Sequence, residues 1–128
     1  MAAVVEGDPE RGRTLLRQAA SSARSRGAVV EEGWALHDLA RLGRAGEVAD
    51  RLRSLAAAAQ GDLMAVLADD AAGLASGDPD RLGDTAERFA TLGFNLRAAE
   101  SAMAASEASA RAHDQRRATR WARRAARR

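Results

Sequence analysis

Apolar and small residues return along this chain at i, i+4 and i+7, the spacing of a single helix face, and glycines interrupt the pattern at nearly even intervals. The first set is Gly12, Leu16 and Ala19, the second Val48, Leu52 and Leu55, and the third Leu82, Ala86 and Phe89. A fourth, Ala118, Ala122 and Ala125, follows, and successive sets lie 36, 34 and 36 residues apart. The pattern predicts seven helices, over about 8–26, 29–42, 46–59, 62–75, 79–92, 95–112 and 115–127. Stops are expected at Gly27, Gly43, Gly61, Gly77 and Gly93, whereas the junction near His113-Asp114 carries no such signal. Gly7-Asp8-Pro9 recurs as Gly77-Asp78-Pro79, and each copy reads as a stop, an N-cap and a first-turn proline.

Loops of two or three residues force neighbouring helices antiparallel. A period near 35 is that of helix-pair arrays. The expectation is therefore an all-α antiparallel helix-pair solenoid of the tetratricopeptide type, with residues 1–128 forming a single repeat domain and pairs stacked in a right-handed sense. Helix 29–42 is apolar on two lines, Val29, Leu36, Ala40 and Val30, Trp34, as a helix touching both its partner and the next repeat would be. Residues 1–7 are too few to pair with helix 8–26, so the array is expected to open on the second member of a pair. Without an evident polar cap at either end, the reading is a segment of a longer protein, or a chain that covers its ends as a homodimer.

Composition sharpens this picture. Alanine supplies 33 of 59 apolar residues and leucine 13, with no isoleucine, tyrosine or cysteine. Such a chain favours helix over sheet and builds a thin core from close helix approach. The absence of cysteine excludes disulfides and thiolate metal sites. No apolar run is long enough to span a membrane, and Met1–Val5 lacks the features of a secretory signal, so a cytoplasmic location is the default expectation.

Val30 to Gly43, containing Trp34, His37 and Asp38, resembles a segment of the large ATP-dependent LuxR-type transcriptional regulators, MalT-like and actinobacterial. Ala86 to Gly93, followed by Ala99 to Ala102, resembles the next repeats of the same region. The resemblance runs from about residue 8 to 125 and implies the middle, tetratricopeptide-like module of such a regulator. The ATPase that precedes that module and the DNA-reading helix-turn-helix that follows it have no counterpart here. With no lysine in the chain, no Gly-x-x-x-x-Gly-Lys-Ser/Thr phosphate loop is present.

Candidate chemistry is sparse. His37-Asp38 and Asp69-Asp70 are the seeds of any acid–base or metal site, but neither a zinc set nor a nucleophile beside its base has the required spacing. No enzyme activity, cofactor or metal is expected. Trp34, His37 and Trp121 are candidates for contact with a partner protein, a peptide, a small effector or the neighbouring modules of a parent regulator. Net charge is +2 overall, yet residues 97–128 hold nine arginines against three acids. Arg116, Arg117, Arg120, Arg123, Arg124, Arg127 and Arg128 crowd the last fourteen positions around Ala118, Trp121, Ala122 and Ala125. A basic helix of this kind is a candidate contact for nucleic-acid phosphates. The functional expectation is a non-catalytic interaction or effector-sensing module of a LuxR-type regulator. The alternative is a small nucleic-acid-associated protein acting through its arginine-rich final helix.

Overall fold

The computed structural model describes residues 8–126, with side chains through Arg124. It is all-helical, 89% helix without strands among the described residues. The helices are α1 (Pro9–Ser25), α2 (Val29–Leu39), α3 (Ala45–Ala58), α4 (Leu63–Ser76), α5 (Pro79–Thr91) and α6 (Asn95–Ala126). A π-type segment, Ala40–Arg44, joins α2 to α3 and turns sharply at Leu42-Gly43, where Gly43 has φ of 90°. All five glycines expected to stop helices adopt positive φ. The chain divides into two compact units, residues 1–76 and 77–128.

Local chemistry accounts for the helix ends. Asp8 Oδ1 accepts from the Arg11 amide at 3.0 Å, and Asp78 Oδ1 accepts from Asp80 and Arg81 at 3.1 and 3.2 Å. Pro9 and Pro79 open their helices, where a missing N–H costs no intrahelical bond. At the C-termini, Ala28 N donates to Ala23 O at 2.8 Å and Phe94 N donates to Phe89 O at 2.9 Å. These are the long bonds of the Schellman motif, which satisfy carbonyls that a helix end would strand.

In the first unit α1 packs chiefly on α2, and α3 on α4, with α2 also touching α3 and α4. The pairing frame therefore begins at α1, which is the first member of a hairpin rather than the second. The core runs through Leu16, Leu36, Leu39, Val48, Leu52, Leu55, Val66 and Leu67. On α1 the buried face is Gly12, Leu16, Ala20 and Ala23. Ala19, expected on it, is exposed because the stripe drifts by one position. Val29 and Val30, expected to be apolar contacts of α2, are exposed at its first turn. Gly33 permits the α2–α4 approach, since a Cβ there would lie 2.5 Å from Met64 Cε and 2.7 Å from its Sδ.

In the second unit Leu82, Thr85, Ala86 and Phe89 of α5 face α6. The expected break near residues 113–114 is absent. Helices drawn over 95–112 and 115–127 are one helix of 32 residues, so the described chain has six α-helices. Between Asn95 and Ala126 there is no glycine or proline to stop it, and alanine and arginine both favour continuation. The fourth repeat face does not form: Ala118 and Ala122 are exposed, and the Ala125 side chain lies outside the described residues. Among the described residues no helix is long and apolar enough to cross a membrane.

Candidate functional site

Two polar features stand out, one sealed inside the first unit and one open on the second. The buried feature begins with α2. Glu32, Leu36 and Ala40 share one helix line, and Gly33 and His37 the adjacent one, so a glutamate and a histidine enter the core with their apolar neighbours. His37 Nε2 lies 2.7 Å from Asp70 Oδ2 of α4, with both side chains all but fully buried. Glu32 is held by Arg51 of α3 through two bonds, Nε to Oε2 at 2.7 Å and Nη2 to Oε1 at 3.0 Å. The Glu32 hydrogen bond, aided by its charge and opposed by partial desolvation, raises the Arg51 guanidinium above its ordinary pKa. Together these contacts tie α2 to α3 and α4 at two successive turns of the helix.

The His37–Asp70 pair has the distance of an oriented acid–base dyad but no opening to solvent, so it acts as a buried strut. His37 is 0% exposed and cannot meet a partner, which removes it from the candidate partner-binding residues. Asp38 pairs instead with Arg41 at 3.2 Å across one turn of helix. Among the described residues no three His, Cys, Asp or Glu side chains converge to hold a metal, and no buried side-chain polar atom lacks a partner. Trp34 is half-buried on α2 of the first unit, and Trp121 is 60% exposed on α6 of the second.

Several charges on the first unit's surface pair with one another. Arg13 and Arg17 reach Glu10 at 3.2 and 3.6 Å, and Arg17 also reaches Glu47 at 3.2 Å. Arg26 meets Glu31 at 2.9 Å. Arg13 Nε further donates to the Leu42 carbonyl at 3.0 Å, serving a carbonyl at the bend between α2 and α3.

The open feature is the second half of α6. At 1.5 Å per residue α5 is about 20 Å long and α6 about 48 Å, so α5 can cover less than half of its partner. Ala108 is the last buried residue of α6, and every described side chain from His113 to Arg124 is exposed. Arg116, Arg117, Arg120, Arg123 and Arg124 fall here, and among the described residues none of them is paired with an acid. The Arg124 guanidinium carbon stands 5.3 Å from the centre of the Trp121 ring, within cation–π range. Arg127 and Arg128, also named as candidates, lie outside the described residues.

Comparison with known proteins finds no match: no family model fits the chain, and no curated protein or solved structure is significantly similar to it.

Proposed function

We propose that the chain is a non-catalytic interaction or effector-sensing module of a LuxR-type transcriptional regulator, built as a tetratricopeptide-like array of helical hairpins. The observation that carries this reading is the recurrence of one hairpin design. Hairpins begin at Pro9, Ala45 and Pro79, at spacings of 36 and 34 residues; the first helix of each is followed by a left-handed glycine (Gly27, Gly61, Gly93), and the second helices of the first two hairpins lead into Gly43 and Gly77. The resemblance of Val30–Gly43 and Ala86–Gly93 to the helical region of those regulators supports the assignment to that class. An array of this kind offers surface along its helices rather than an enclosed reaction chamber, and it responds to a ligand by shifting among packings of different affinity. Glu32, His37, Arg51 and Asp70 hold α2, α3 and α4 together, leaving exposed helix faces to meet a partner.

The test is calorimetric titration of the full chain with separately prepared ATPase and helix-turn-helix fragments of a regulator of this class. Saturable heat with either fragment is expected. Titrations without heat at every temperature tried would remove the regulator-module reading.

A further inference from the structure

We propose that the second half of α6 is a docking surface for the phosphate backbone of nucleic acid, with Trp121 placed to stack on an unpaired base beside it. The first argument is angular. At about 100° per residue, Arg116, Arg117, Arg120, Arg123 and Arg124 fall within one arc of about 120°. Trp121 borders that arc, and Ala118 and Ala122 lie on the opposite side. This arrangement is a one-sided basic ridge about 12 Å long, carrying five guanidinium groups and no acid.

The second argument is that, among the described residues, all five of these neighbouring groups lack an acidic partner, whereas elsewhere Arg13, Arg17, Arg26, Arg41, Arg51 and Arg88 each have one and arginines without one, such as Arg11 and Arg24, stand singly. Like charges so close together repel, and an external polyanion relieves that repulsion while releasing its own condensed counterions.

Charge and shape decide between occupants. A membrane-seated helix needs large apolar residues opposite its cations, and here that side offers alanine methyl groups. A second copy of the chain is a weaker complement, because Glu10, Glu31, Glu32 and Glu47 are engaged by arginines and acids without such a partner, among them Asp62, Asp80 and Glu107, are spread far apart along the chain. A nucleic-acid backbone supplies anions dense enough to meet five guanidinium groups over so short a ridge, roughly one per 1.7 Å of duplex axis. Trp121, 60% exposed and with Arg124 over its ring, adds an aromatic surface of the kind on which single-stranded ligands stack.

The experiment is fluorescence anisotropy of labelled single-stranded and duplex oligonucleotides titrated with the full chain across a salt series. Five phosphate contacts predict a slope of log K against log salt of about −3.5 for the single strand and about −4.5 for the duplex. The triple variant Arg116→Gln/Arg120→Gln/Arg123→Gln should weaken low-salt binding on the order of a hundredfold. Its circular dichroism should be unchanged, because glutamine matches arginine as a helix former. Trp121→Ala should weaken the single strand roughly tenfold and leave the duplex within about twofold. No retention at low salt, or a triple variant that binds like the parent, overturns the proposal. So does tighter binding to poly-glutamate or phosphatidylserine vesicles than to the oligonucleotides. Equal effects of Trp121→Ala on both oligonucleotides remove the stacking role. A failure here leaves the calorimetric test of the regulator module untouched, because that test measures protein fragments.

Discussion

The His37–Asp70 contact offers the sharpest test of how the first unit is held together. It joins α2 to α4 across 33 residues of sequence, at 2.7 Å and out of reach of water. Asp70→Ala strips a buried imidazole nitrogen of its partner where no solvent can replace it, and should cost about 3 kcal/mol. His37→Leu leaves a buried carboxylate without its imidazole and should cost a similar amount. The double variant His37→Leu/Asp70→Ala removes both polar groups of the contact together and should cost about 2 kcal/mol, well below the sum of the two single variants. The coupling between the sites is then about 4 kcal/mol, far beyond the 0.5 kcal/mol or so expected of independent positions. Urea denaturation followed by Trp34 fluorescence reads this unit, because Trp34 lies one turn before His37 on α2. A Trp121→Phe background silences the other indole. Additive single-variant costs, or an Asp70→Ala loss below about 1 kcal/mol, would refute the strut.

The remaining predictions concern a close approach and a cap. Gly33→Ala gains about 1 kcal/mol of helix propensity, but its new methyl meets the buried end of Met64 and should lose about 2 kcal/mol to overpacking. The net loss should become a net gain in a Met64→Ala background, and the same sign in both backgrounds in urea melts would refute the α2–α4 approach. Asp78→Ala removes the acceptor for two amides at the start of α5 and should destabilise that helix by about 1 kcal/mol. Hydrogen exchange at Asp80 and Arg81 should quicken while the first unit is unaffected, and unchanged protection at those amides would contradict the cap.

How much could be read in advance differs from helix to helix, for physical reasons. On α3 and α5 the expected triads Val48, Leu52, Leu55 and Leu82, Ala86, Phe89 are all buried, because large apolar side chains declare a face unambiguously. On α1 alanines occupy adjacent positions, so Ala19 and Ala20 could not be told apart by spacing, and the structure buries Ala20. Glu32 escaped notice because a glutamate in a first helical turn reads as a solvated, dipole-favoured charge. Its i+4 relation to Leu36 and i+8 relation to Ala40 was the available clue. The surface ambiguity of α6 had a different source. Alanine matched the repeat spacing at Ala118 and Ala122, although a methyl group has little power to draw another helix onto it.

Helix ends that carry an aspartate cap, a first-turn proline or a left-handed glycine were therefore determined by the sequence alone, since these act within a few residues of themselves; the junction expected near 113–114 carries none and does not form. Which hairpins form, and which polar groups enter the core, was decided only by tertiary structure. Asp70 and Arg51 reach α2 from 33 and 19 residues away, and their contact with His37 and Glu32 exists only once α3 and α4 are packed. The exposure of the arginine ridge is likewise a tertiary outcome: α5 ends at Thr91, too short to cover α6 along its length.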